Sequence, residues 1–181
     1  MLAALDHMNV QFAKKGWPEI RIGVGINTGQ MSVGNMGSEF RRAYTVLGDA
    51  VNLGSRLEGI TKQYGVSFIV SETTAGHAPE FFYRELDCVR VKGKAEPVTI
   101  YEPLGMKDQL PTKVIEDARL FQSALKHYRR QDWDAAERIL KELLSVEPDS
   151  YLFALYLERI AIFREKPPEE GWDGVFTYMT K

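Results

Sequence analysis

The sequence predicts an α+β domain followed by an all-α helical appendage, and three observations carry that prediction. Apolar residues recur at helical spacing over residues 2–14, alternate with period two over residues 20–26, and return to helical spacing through most of residues 113–164. Glycine and proline stand where the period changes. The polar, proline-bearing stretch 106–112 separates a mixed first part from a helical second part, dividing the chain into 1–106 and 107–181.

Taken in order, Leu2, Leu5, Met8 and Phe12 mark a first helix, which Gly16-Trp17-Pro18 ends. From Glu19, Ile20, Ile22, Val24 and Ile26 alternate with Arg21, Gly23, Gly25 and Asn27, the pattern of a half-buried strand. Asn27-Thr28-Gly29 turns the chain into a second strand at Met31 and Val33, and Gly34-Asn35-Met36-Gly37 reads as a loop. Ala43 to Leu47 is a third strand. Gly48-Asp49 then opens a helix running to about Tyr64, with Leu53, Leu57, Ile60 and Tyr64 as its buried stripe.

Ser67 to Val70 reads as a short buried strand, and Thr73-Thr74 as the cap of a helical turn. Phe81–Val91 and Val98–Tyr101 form a hairpin around Gly93-Lys94-Ala95-Glu96-Pro97. Beyond residue 112, two helices flank Gln131-Asp132-Trp133-Asp134, and a third follows Pro148-Asp149.

Composition narrows the function. With 44% hydrophobic and 27% charged residues, the 181-residue chain is globular rather than disordered. A formal charge of -2 leaves no footprint for nucleic acid or an anionic membrane, although the short run Arg90 to Lys94 is enough to hold one polyphosphate. The single cysteine, Cys88, excludes an internal disulfide and a Cys-rich metal site, and His7, His77 and His127 lack ligand spacing. No apolar run approaches the ~20 residues that span a bilayer. Asp6 and His7 break any signal-peptide pattern, so a cytoplasmic chain without membrane contact is expected.

The chemistry concentrates in Tyr44 to Glu58. Asn52 and Arg56 stand four apart on the expected helix, on one face beside Leu53 and Leu57. Exposed Asn and Arg on a helix are commonplace, and the pair alone carries no function. Its context does. Gly48-Asp49-Ala50-Val51-Asn52 through Arg56, the preceding Gly23-Val24-Gly25-Ile26-Asn27-Thr28-Gly29 and the closing Val91-Lys92-Gly93-Lys94 resemble, in order, the signatures of class III adenylate and guanylate cyclases.

The resemblance implies a partial ferredoxin-like (βαββαβ) nucleotidyl cyclase domain that turns ATP into cyclic AMP and pyrophosphate. It assigns Arg56 to the charge developing on the α-phosphate and Asn52 to the ribose. Lys94, with Lys92 as fallback, would hold the terminal phosphates, and Thr45 would read adenine by accepting from its 6-amino group. Look-alikes that select guanine usually carry cysteine at the Thr45 position. The family also works with two ions, Mg²⁺ or Mn²⁺, held by two aspartates in stretches that precede those matched here and do not occur in this sequence. The chain is therefore expected to begin inside the domain, to be inactive alone and to act as a homodimer. The family is often bacterial, with an upstream segment that in some members anchors the parent protein to a membrane.

Two other sites are declined. Gly29 and Gly34 have phosphate-loop spacing, but Asn35 stands where that loop needs lysine. Asp49 is read as a helix cap rather than a metal ligand. Residues 120–148 resemble one tetratricopeptide repeat through Ala124, Ala136, Leu140 and Pro148, with Ser123 and His127 departing from it. One repeat is too little for a peptide groove, so it is expected to pack on the first domain or to mediate dimer contacts. The alternative is a noncatalytic regulatory or scaffolding protein with a cyclase-like half-domain.

Overall fold

The computed structural model describes residues 1–38, 41–90 and 96–175. Its elements run α1 (Leu2–Lys14), β1 (Val24–Ile26), β2 (Ser32–Ser38), β3 (Arg41–Leu47), α2 (Asp49–Tyr64), β4 (Phe68–Ser71), α3 (Glu72–His77), β5 (Phe81–Val89), β6 (Val98–Met106), α4 (Thr112–Arg129), α5 (Trp133–Val146) and α6 (Tyr151–Glu165).

Four strands form one mixed sheet in the order β1-β4-β6-β5, while among the described residues β2 and β3 pair only with each other. β1 and β4 are parallel, with Gly25 opposite Ile69. The chain therefore crosses over between them, leaving through the β2–β3 ribbon and returning along α2, which packs on both strands. The remaining pairings, β4 with β6 and β5 with β6, are antiparallel.

The helices α4–α6 lie on the face of the sheet that α2 covers. Asp87 on β5 shows this, since its carboxylate receives Tyr64 from α2 and Arg159 from α6. One apolar core accordingly runs from Leu53 and Leu57 through Ile69, Leu86 and Ile100 to Phe121, Leu140 and Tyr156. The second half of the chain packs against the first. Trp133 and Trp172 are packing residues in an aromatic cluster with Tyr128 and Phe163.

Several local expectations are corrected. Gly34 to Gly37 lies within β2, because the register pairs each of these residues with one on β3. The first strand is confined to Val24–Ile26, and its inner face is the glycine face, leaving Ile20 and Ile26 exposed. Gly48, not Asp49, is the N-cap of α2, while Asp49 occupies the first turn, where a carboxylate meets the positive end of the helix dipole. Ser71 rather than Thr73 or Thr74 caps α3, accepting from the Thr74 amide. In the stripe of α2, Leu53, Leu57 and Tyr64 are buried as expected, Ile60 is half-buried against the core, and Thr61 is buried as well.

Candidate active site

The residues Gly23, Gly25, Asn27 and Gly29 alternate along the chain and all turn toward α2. A Cβ on Gly25 would stand 2.4 Å from the Gly54 carbonyl oxygen, and one on Gly23 would stand 2.4 Å from Thr61 Oγ1. One on Gly29 would meet the Ala50 Cβ at 2.7 Å. Any larger residue at these positions pushes the helix away, so the glycines let α2 lie backbone-close on the strand. Between them, Asn27 Nδ2 donates to the Ala50 carbonyl at 2.9 Å, tying the first turn of α2 to the same segment. The sequence marks this stretch as a strand and a turn with a cyclase-like signature, and does not show that its glycines seat a helix. The period-two run of small and amide residues was the available signal.

Gly48 joins β3 to α2 in a single residue. Its φ of 152° favours glycine, and its carbonyl accepts from the Val51 and Asn52 amides, each at 3.1 Å. Asn52 is thus anchored in the first turn by its backbone, and Arg56 follows one turn later. Both side chains are exposed, and among the described residues neither is engaged in a hydrogen bond or ion pair. Their neighbours Leu53 and Leu57 are buried, so the pair lies along the border of the packed stripe. A guanidinium left unspent in this way presents a charged fork of donors able to meet an anion.

Thr45 lies on β3 directly opposite Gly34. It shares its face of the ribbon with Ala43 and Leu47 along the strand and with Ser32 and Met36 across it. Gly34 has nothing within 4 Å of the Cβ it lacks, so open space lies beside Thr45. The opposite face of the ribbon carries Val33, Val46 and Tyr44, and Tyr44 is 75% exposed. The structure therefore brings Asn52 and Arg56 onto one helix face and places Thr45 just ahead of that helix. Lys92 and Lys94 lie outside the described residues.

Among the described residues, no three His, Cys, Asp or Glu side chains converge. The described residues therefore do not fit a resident divalent metal.

The fold is similar to two solved structures. The adenylyl cyclase CyaB from P. aeruginosa matches at 33% identity and a TM-score of 0.51, over 61% of this chain and 58% of that one. The guanylyl cyclase Cya2 matches at 33% and 0.51, over 59% of this chain and 54% of that one. The mixed sheet and helices are thus of cyclase-domain type. The family model for the adenylate and guanylate cyclase catalytic domain matches residues 1–102, and the chain belongs to that family.

Among curated relatives, an adenylate cyclase of Anabaena cylindrica is 43% identical over 110 residues, 56% of this chain and 22% of that protein. The terminal-differentiation specific adenylate cyclase of Dictyostelium discoideum is 31% identical over 164 residues, 88% of this chain and 8% of that protein. This second match is longer than the stretch matched by the family model and takes in part of the helical layer. The chain spans about a fifth or less of the length of these relatives.

Proposed function

We propose that this chain supplies the Asn/Arg half of an adenylate cyclase site, with ATP as substrate and cyclic AMP and pyrophosphate as products. The observation that carries the reading is the exposed, unengaged pair Asn52 and Arg56, held on one face of a helix that Gly23, Gly25 and Asn27 dock against the sheet. In the reaction the ribose 3′-oxygen bonds to the α-phosphorus, the bond from that phosphorus to the bridging oxygen breaks, and one proton is released. Arg56 holds the charge on the α-phosphate oxygens, a contribution on the order of 3–4 kcal/mol for a well-aimed donor. Asn52 holds the ribose so that its 3′-hydroxyl faces the phosphorus. Lys94 takes the terminal phosphates.

Thr45 accepts from the adenine 6-amino group across the space that Gly34 leaves open. The relatives named adenylate cyclases support adenine over guanine. The exposed Val33, Tyr44 and Val46 face supports pairing with a second cyclase subunit, which would bring the metal aspartates. Residues 107–181 form the second, helical part of this reading. Burial of Ala124, Ala136 and Leu140 supports a tetratricopeptide-like packing unit there.

The test mixes this chain with a class III cyclase domain that keeps its metal aspartates but has lost its own Asn and Arg, and measures cyclic AMP from ATP with Mn²⁺. Activity is expected only in the mixture, and Asn52→Ala or Arg56→Ala should abolish it. A silent mixture, together with silence of a longer polypeptide that adds the aspartates in cis, would favour the regulatory or scaffolding reading.

A further inference from the structure

The helix that carries Asn52 and Arg56 is gripped at its far end as well, and the grip comes from the helical layer. Asp87 and Arg159 are each 1% exposed. Asp87 Oδ2 accepts from the Tyr64 hydroxyl at 2.7 Å and from Arg159 Nη1 at 2.6 Å, while Oδ1 accepts from the Cys88 amide at 2.8 Å. Tyr64 is the last residue of α2, Asp87 lies in β5 and Arg159 in α6. One buried carboxylate therefore joins the catalytic helix, the sheet and the helical layer.

Two further contacts set the same elements against each other. Gly65 ends α2 in the left-handed conformation, and a Cβ there would stand 2.5 Å from the Cβ of Tyr151, the first residue of α6. The Tyr156 hydroxyl donates to the Leu86 carbonyl at 2.7 Å, one residue before Asp87. The Arg159 guanidinium also lies over the rings of Tyr64 and Tyr156, at 5.6 and 5.0 Å from their centroids.

We propose that α6 is a positioning element for the catalytic helix and that Arg159, acting through Asp87 and Tyr64, is its positioning residue. The proposal rests on the roles given above to Asn52 and Arg56. Burying an ion pair contributes little net stability compared with apolar side chains of the same size, because desolvation offsets the attraction. What the pair adds is direction, since it admits one relative placement of α2, β5 and α6. α2 is 16 residues long, a rod of roughly 24 Å, with Arg56 about 12 Å from Tyr64 along its axis. A shift imposed at Tyr64 therefore tilts the rod on its glycine bed and moves Arg56. The match to the Dictyostelium adenylate cyclase runs on into this helical layer, as a layer that serves the catalytic helix should.

The test replaces the pair with apolar residues of similar size in the full chain, as the double variant Asp87→Leu with Arg159→Met. Melting temperature, kcat and KM are then measured in the complemented cyclase mixture. A positioning role predicts a near wild-type KM with kcat falling on the order of ten- to a hundredfold, alongside a lowered melting temperature because the Tyr64 hydroxyl and Cys88 amide lose their acceptor. An unchanged kcat overturns the proposal. Tyr64→Phe, which removes one hydroxyl and keeps the ring, is the milder second variant, and a smaller fall in kcat at constant KM is expected from it. Hydrogen exchange at the amides of residues 53–57 supplies a readout without activity. Faster exchange there in either variant supports the proposal, and exchange changes confined to α6 and β5 overturn it. Should the wild-type mixture make no cyclic AMP, the reading of Asn52 and Arg56 fails, and the exchange data still decide whether α6 holds α2.

Discussion

A Cβ placed on Gly25 would stand 2.2 Å from the amide nitrogen of Glu58, closer than any side-chain carbon approaches a backbone atom. The strand and the helix touch through their backbones at this point, and the placement of Asn52 and Arg56 follows from it. Gly25→Ala should therefore cost about 1–3 kcal/mol, the usual effect of overpacking a tight contact. Gly59, on the same helix with open space around it, is the matched control. Gly59→Ala should raise stability by up to about 1 kcal/mol through helix propensity alone. Urea unfolding of both variants checks the pair.

Asn27 donates to the Ala50 carbonyl, and an aspartate at that position has no proton to give and adds a repelling charge. Asn27→Asp should cost about 1 kcal/mol or more in unfolding experiments. It should also lower cyclic AMP formation in the complemented mixture more than it lowers the melting temperature, because it loosens the turn that holds Asn52.

The ribbon face formed by Val33, Tyr44 and Val46 is apolar and exposed. Sedimentation of the chain should show concentration-dependent self-association. Tyr44→Ser together with Val46→Lys should shift it toward monomer with little change in melting temperature, since neither side chain belongs to the core. A monomeric wild-type chain at all accessible concentrations would count against this use of the ribbon.

Burial pushes the Cys88 thiol above its ordinary pKa, aided by the neighbouring Asp87 carboxylate and opposed by Arg129. The fold thus favours the neutral thiol. Its contribution to stability is complete below the unfolded pKa of about 8.5 and is lost as pH rises through the higher folded value. Alkylation of Cys88 at pH 8 should be slower than that of a free thiol and should accelerate on denaturation. Reaction at the rate of a free thiol in the folded chain would contradict the shift.

Much of this protein was legible in its residues. Helical spacing found α2 and α4–α6 because one buried face per helix leaves its period in the sequence; it found α1 as well, although that helix buries no residue, and the Gly48-to-Arg56 string pointed to the candidate site. The strands were less legible. Gly34 to Gly37 looked like a loop because glycine and asparagine disfavour strands locally, yet cross-strand pairing with Ala43 and its neighbours holds them in β2. Ile20 and Ile26 looked like the inner face because alternation shows that two faces exist and not which one is covered.

The sequence alone determined where the helices lie and which residue types stand at the candidate site, since both are written in local spacing. Only the tertiary structure decided what each face meets. Gly23, Gly25 and Gly29 turned out to be the bed of α2, and Asp87 the joint between Tyr64 and Arg159, residues 23 and 72 positions away from it. Contacts over such separations leave no periodic trace, because they arise from the packing of elements whose mutual placement no local pattern encodes.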